Sequence, residues 1–404
     1  MKRVVITGLG VVSSIGIGKD EFWSNLIKGK SGISKIESFD TTGYPTQYGG
    51  EIKNFKSEEF INRRKVKSLG RASQLSIAAA KLALQDSHTE IKEIKNRNFG
   101  VCVGTTMGET QLMEEMDSTW IKSGEDKVKF SLVYSFPTNI ISANLALELK
   151  VNGDNFMMPT ACAAGNYCIG YGADIIRSSK ETNIVLAGGT DAFSKVAYTG
   201  FNRLYAMAPE KCQPFDKNRK GMLLGEGAAI LVLESLDSAL QRKANIYAEI
   251  LGYGLSCDAH HMTQPLEEGI AKCMLKAMNE AGIGAGDVDY ISAHGTGTPQ
   301  NDKIEVAALK KVFGKRYKKI PVSSIKSMLG HTMGAAAAME AIACCLVLKE
   351  GILPPTINYE IPDPECDIDC VPNKARKQKV NIVLNNSYAF GGNNACLVLR
   401  KYNV

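Results

Sequence analysis

The chain has 404 residues, with 48 Lys and Arg against 42 Asp and Glu, a formal charge of +6 and 22% charged residues. That balance is too mild for a dedicated nucleic-acid binder, and 44% hydrophobic residues with 38 Gly and 13 Pro exclude disordered and collagen-like chains. The length exceeds what one ordinary core fills, so two similar lobes enclosing a cleft are expected.

The first apolar run, VVITGLG from Val4, is interrupted by Gly8, Gly10, Ser13, Ser14 and Gly16. It reads as strand and loop rather than as a targeting segment. It also fails the dinucleotide fingerprint, because Ser13 occupies the third glycine position after Gly8 and Gly10. A basic run follows, Arg63, Arg64, Lys65, Lys67 and Arg71, which is either a solvated face or a dock for an acidic partner.

From there the pattern is α/β, and it occurs twice. The first half predicts a helix over 76–85, a strand over 99–104 ending in VGTTMG, a helix near 143–149, then PTACAAGNYCIG, NIVLAGG and AAILVLES. The second half predicts a helix over 270–281, a strand over 289–293 ending in HGTGT, a helix near 304–312, then VSSIKSMLGHTMGAAAA, NIVLNNSYAFGG and ACLVLRK. NIVL recurs at Asn183 and Asn381. The matching order of elements indicates two copies of one unit, 1–245 and 246–404, packed about a pseudo-dyad with loops of both in one cleft.

The most membrane-like stretch, 335–348, is too short to span a bilayer and contains Glu340. Eleven Cys without a CxxC pair argue for reduced thiols and a cytoplasmic setting. Cys366 and Cys370 in CDIDC lack partners at zinc-site spacing, so no metal is expected.

Cys162 lies where a short strand turns into a helix whose first turns are nearly all Ala and Gly. A thiol at a helix N-terminus is stabilised as thiolate and open to substrate, the makings of a nucleophile. Cys168 reads as a buried structural thiol. His294 and His331, two of five His, sit in Gly-rich loops after strands. With Lys326 they form a set for proton transfer and carboxylate handling. Glu340, alone on an apolar helix, needs either a partner such as Lys326 or an exposed face. Thr296 and Thr298 offer hydroxyls to a polar substrate arm, and His260 and His261 read as a loop rather than as a metal pair. His88 closes a surface helix.

TACAAG around Cys162, AHGTGTP around His294, VSSIKSMLGHTMGAA around Lys326 and His331, and NSYAFGGNN together closely resemble the β-ketoacyl-acyl carrier protein synthases, over essentially the whole chain. The resemblance implies the thiolase fold, a duplicated αβαβα five-layer sandwich. It implies a ketosynthase in which Cys162 takes an acyl chain from a thioester and a malonyl-carrier thioester then loses CO2 and condenses with it. In that reading His294 and His331 assist decarboxylation and hold the enolate oxygen, and Lys326 with Glu340 orders the site. Backbone N–H groups of Cys162 and Phe390 form the oxyanion hole. Phe390 also gates the acyl pocket with Gly391 and Gly392. Thr296 and Thr298 hold the phosphopantetheine arm of the acyl carrier protein, Thr263 lines the substrate site, and Thr106 with Met107 lines the chain-binding side. The basic run docks the carrier. No resident cofactor, metal, nucleic acid or membrane is implied. The family dimerises through the strand near 183–188, as a homodimer or with a Cys-less sister subunit.

Ala389 replaces the first glycine of the family's GFGG gate, Asn393 stands for Thr, His260 for an aromatic, and AAGNYC follows where a Thr-Ser-Gly type is usual. The condensation set is intact while substrate range and gating are altered, which favours a specialised type II polyketide or polyene pathway over primary fatty-acid elongation. A coenzyme A thiolase is disfavoured because no second Cys stands in a CxG setting. A chain-length partner subunit or a binding module is disfavoured because Cys162 is retained.

Overall fold

The computed structural model describes residues 2–90 and 98–403. Ten strands carry the fold: Val4–Ser13 (β1), Phe99–Gly104 (β2), Asn155–Met158 (β3), Ile184–Asp191 (β4), Gly227–Ser235 (β5), Ala248–Cys257 (β6), Tyr290–Ser292 (β7), Val322–Ser323 (β8), Ile382–Tyr388 (β9) and Asn393–Arg400 (β10). Their spatial order is β8-β7-β9-β10-β6-β1-β5-β4-β2-β3, which reads the same from both ends when each strand is matched with the one five places later. The pairings match too: β2 runs parallel to β4 as β7 does to β9, and β4 runs antiparallel to β5 as β9 does to β10. The two NIVL copies open β4 and β9, at equivalent places. The halves are hydrogen-bonded edge to edge where Val4, Val5 and Ile6 of β1 pair with Ile250, Glu249 and Ala248 of β6.

Six helices complete the duplication: Arg71–Asp86 (α1), Ile140–Leu149 (α2) and Ala164–Ser178 (α3), then Glu267–Ala281 (α4), Pro299–Phe313 (α5) and Ala336–Glu350 (α6). α1 and α2 cover the outer face of the first half, α4 and α5 that of the second, and α3 with α6 lies between the two halves of the sheet. This is the expected five-layer sandwich. The central layer explains the membrane-like stretch, since a helix covered on every side has no polar face, and Ala336 through Leu348 of α6 is buried. Among the described residues no helix is long and apolar enough to cross a membrane.

Close packing accounts for the glycines of β1. A Cβ on Gly10 would lie 1.9 Å from the Ala79 carbonyl oxygen of α1, and one on Gly8 2.3 Å from that of Ala83. These glycines serve helix–sheet approach.

Two expectations are corrected here. β4, proposed to dimerise, is interior and paired along both edges, so it has no edge to offer; the free edge of the first half is β3. Arg71, counted with the docking run, turns inward: its guanidinium donates to both Glu226 carboxylate oxygens at 2.6 and 2.7 Å and to the Ile52 carbonyl. Arg63, Arg64 and Lys67 remain exposed around the short helix Arg63–Val66, while Lys65 pairs with Glu148 at 2.8 Å.

Candidate active site

The strand-to-helix turns of the two halves face each other across the pseudo-dyad. Each central helix starts with a single 3-10 turn, Ala161–Ala163 before α3 and Met333–Ala335 before α6, and each turn opens on a residue with positive φ, Ala161 at 51° and Met333 at 49°. Such strained backbone persists only where the surroundings hold it. Cys162 is the second residue of its turn; the equivalent residue of the other half is Gly334, whose N–H donates to Asp191 Oδ2 at 2.6 Å. Of the two equivalent turns only the first therefore carries a thiol.

Cys162 is buried, and Ser387 Oγ donates to its carbonyl at 2.8 Å, tying the turn to β9 of the second half. The rings of His294, after β7, and His331, after the short helix Lys326–Leu329, meet edge to face with centroids 5.4 Å apart. Both line one cavity with Cys162, about 340 Å³ in volume. Burial holds both imidazoles well below their ordinary pKa, and the Lys326 ammonium pushes them further in the same direction. Both rings are neutral. Met333 N–H donates to His331 Nδ1 at 3.2 Å, which assigns the ring proton to Nε2.

Lys326 and Glu340 form an ion pair with both side chains buried, which settles the open question about Glu340. Burial pushes the Glu340 carboxyl up to about 7 even though Lys326 pulls it down. Burial also pushes the Cys162 thiol up to about 12, against the pull of Lys326. The expected thiolate is thus corrected: in the resting cleft the thiol keeps its proton.

Thr263, Thr296, Thr298, Phe390 and Gly392 also line the cavity. The Thr296 and Thr298 hydroxyls hydrogen-bond each other at 2.8 Å, and the Phe390 ring lies 5.9 Å from that of Phe201. The gate is latched to the loop after β6: Gly391 N–H donates to the Met262 carbonyl at 2.8 Å, and Asp258 N–H to that of Gly392 at 3.0 Å. Ala389 has φ −125° and ψ 154°, ordinary extended backbone, so the missing glycine imposes no strain; Gly391 and Gly392, at φ 82° and 78°, are the positions that need glycine.

Thr106 and Met107 do not line this cavity. Their backbone N–H groups donate to Asp191, and Met107 packs in an aromatic cluster behind Phe201. His261 lines the cavity mouth while His260 is exposed, and among the described residues no three His, Cys, Asp or Glu side chains could hold a metal ion. Cys168 lies in the core.

Three residues of the site escaped sequence reasoning. Asp191 binds the Thr105 hydroxyl and the N–H groups of Thr106, Met107 and Gly334, clamping a loop of each half. Glu305 accepts the N–H groups of His294 and Gly295 at 2.9 and 2.8 Å, and burial pushes it up to about 7. It carried the same signal as Glu340, a carboxylate on an apolar helix face. Tyr388 sets its ring 5.6 Å from that of His294.

The family model for the β-ketoacyl synthase N-terminal domain matches residues 1–239, and that for the C-terminal domain matches residues 247–360. The chain is 40% identical over 409 residues to the 3-oxoacyl-[acyl-carrier-protein] synthase 2 of Coxiella burnetii, covering 99% of each chain. It is 36% identical to that of Synechocystis sp., covering 99% of this chain and 98% of the relative. Among solved structures it is similar to the ishigamide ketosynthase/chain length factor, with a TM-score of 0.96 and 44% identity over all of both chains. It is also similar to a ketosynthase in complex with a type II polyketide acyl-carrier protein, with a TM-score of 0.91 and 34% identity over 99% of this chain and 100% of the other. A cleft with one thiol and two neutral imidazoles, on a duplicated frame that both domain models match, makes this chain a member of the β-ketoacyl synthase family.

Proposed function

We propose that the chain is a ketosynthase acting on acyl-carrier thioesters, with its nucleophile in 1–245 and its two histidines in 246–404. The Cys162 sulfur attacks the acyl carbonyl, the acyl C–S bond to the carrier breaks, and the thiol proton leaves with the carrier's sulfur. The malonyl thioester then loses CO2, and the enolate oxygen so formed accepts N–H bonds from His294 and His331. Its carbanion attacks the acyl carbonyl on Cys162, the thioester to Cys162 breaks, the sulfur leaves as a thiolate that takes its proton back from water, and a 3-oxoacyl chain two carbons longer leaves on the carrier. Backbone N–H groups of Cys162 and Phe390 receive the oxyanion, and Thr296 and Thr298 hold the phosphopantetheine arm.

One observation carries this reading: Cys162, His294 and His331 line one cavity with both imidazoles neutral. A neutral imidazole donates to a developing enolate without first losing a proton, and it brings no fixed charge that a malonyl carboxylate would pair with and retain. Burial, helped by the Lys326 ammonium that Glu340 holds, keeps the rings in that state.

A specialised type II polyketide or polyene pathway is the favoured setting, supported by the altered gate region and by the polyketide relatives. Primary fatty-acid elongation is the second reading, supported by the synthase 2 relatives. The compartment is the cytoplasm. The partner is an acidic carrier docking at Arg63, Arg64, Lys65 and Lys67, and a second chain, identical or sister, covers the free edge of β3. There Phe156 of β3 and Tyr171 of α3 stand partly exposed with rings 5.2 Å apart.

The test is turnover of malonyl-carrier protein with a panel of acyl-carrier thioesters. Elongated 3-oxoacyl product from wild type and none from Cys162→Ala supports the reading; product from Cys162→Ala overturns it. Elongation confined to short or unsaturated chains, or dependent on a sister subunit, favours the polyketide setting over the elongation one.

A further inference from the structure

We propose that Tyr388 is the positioning residue of His294, setting the direction of its imidazole through ring contact alone; this rests on the ketosynthase reading above. The two imidazoles of the cleft are held by different means. His331 is locked by a hydrogen bond, since Met333 N–H donates to its Nδ1 at 3.2 Å. A histidine that works through one ring nitrogen is ordinarily aimed in this way, by a partner on the other. His294 has no such lock, because its Nδ1 is buried without a hydrogen-bond partner. Glu305 accepts the backbone N–H of His294 at 2.9 Å, which fixes the loop and leaves the ring free to turn about χ2.

What remains to hold the ring is packing. His331 meets it with ring planes at 82° and centroids 5.4 Å apart, and Tyr388 meets it with planes at 62° and centroids 5.6 Å apart. The Tyr388 contact is not a hydrogen bond, since Tyr388 Oη, like His294 Nδ1, is buried with no partner. The aromatic ring therefore does the orienting and the hydroxyl takes no part. Tyr388 is itself fixed: it is 3% exposed, and its backbone pairs with Asn394 of β10. His294 lines the cavity, so with Nδ1 shut away its ring presents Nε2 there and carries its proton on that atom. That is the donor the enolate oxygen needs, and it matches the Nε2–H of His331. A ring turned over would offer a bare acceptor instead. Loading of Cys162 does not call on this N–H, whereas condensation does, so loss of the Tyr388 ring acts on the second stage.

The measurement is intact-protein mass spectrometry of Cys162 loading by acetyl-, octanoyl- and sorboyl-N-acetylcysteamine. The fastest-loading chain is then chased with malonyl-carrier protein, in wild type, Tyr388→Phe and Tyr388→Leu. Tyr388→Leu should load within about twofold of wild type while its acyl-enzyme decays about ten- to a hundredfold more slowly, and Tyr388→Phe should match wild type at both stages within about twofold. Unchanged decay in Tyr388→Leu, loading lost to the same extent as decay, or decay slowed equally in Tyr388→Phe overturns the proposal. Nitrogen NMR of the histidine side chains keeps it testable where Tyr388→Leu is unstable. The His294 signals, assigned by their absence from His294→Gln, should show a single Nε2–H tautomer in wild type and in Tyr388→Phe; a mixture of tautomers in either overturns the proposal. No loading of wild type with any of the three thioesters overturns the ketosynthase reading itself, and this proposal with it.

Discussion

The Cys162 thiol stands at the start of α3, where the helix dipole favours a thiolate by about 0.3–1 kcal/mol, and inside a cleft, where burial lifts its pKa to about 12. The net displacement from 9.0 corresponds to about 4 kcal/mol against the thiolate, so burial decides. Alkylation of Cys162 by iodoacetamide should rise about tenfold per pH unit up to pH 10 without a plateau; a plateau with a midpoint near 8 would show a stabilised thiolate instead. The ion pair beside it follows the same rule of burial. Glu340→Ala leaves the Lys326 charge buried and unpaired, and should lower stability by about 3–5 kcal/mol in guanidinium melts. Lys326→Met/Glu340→Leu should recover most of that loss. Glu340 also titrates near 7 when folded against an ordinary 4.5, so between those values the unfolded chain holds fewer protons and stability falls as pH rises. The double variant should show a shallower fall over that window. His294 and His331 act in the opposite sense, being neutral when folded and protonated when unfolded below 6.5, so their contribution is lost as pH drops below that value.

The gate shows how far an element can be read from its letters. NSYAFGGNN revealed a glycine-rich turn and the loss of one glycine, but the consequence depended on which residue takes positive φ, and Ala389 does not. Gly392 does, and a Cβ there would also meet Asp258 Cβ at 2.7 Å. Gly392→Ala should dislodge the latch to the loop after β6 and reduce Cys162 acylation severalfold, whereas Ala389→Gly should leave acylation within about twofold; equal effects on acylation rate would mean that the latch is not what holds Phe390. The duplicated βα order was legible because buried strands and helices carry their own periodicity, and Phe99–Gly104 was read to the residue. Asp191 was not legible. Its four hydrogen bonds reach loops 84 to 143 residues away, and no local pattern reports them.

Across the whole molecule the same limit separates what charge runs say from what they do. Arg71 belonged to the basic run by sequence, yet Glu226, 155 residues later, draws it inward. Arg63→Ala/Arg64→Ala/Lys67→Ala should weaken use of carrier-bound substrate while leaving acylation by small thioesters intact, and the loss should be larger at low salt. Arg71→Ala should lower stability instead. A carrier KM unchanged in the triple variant at 20 mM and at 200 mM salt would make the exposed run a solvated face. The two-lobed frame itself was legible from the repeat, while its joint along β1 and β6 was not, because only three residues on each strand make it. That frame places the thiol of one half against the imidazoles of the other, and the central claim is that the two act at successive stages. Rapid-quench intact-protein mass spectrometry of wild type, Cys162→Ala and His331→Ala, loaded with acyl thioester and then given malonyl-carrier protein, tests this most directly. The account predicts no loading in Cys162→Ala, and in His331→Ala near-normal loading followed by an acyl-enzyme that persists. Equal loss of loading and condensation in His331→Ala, or loading that survives Cys162→Ala, would contradict it.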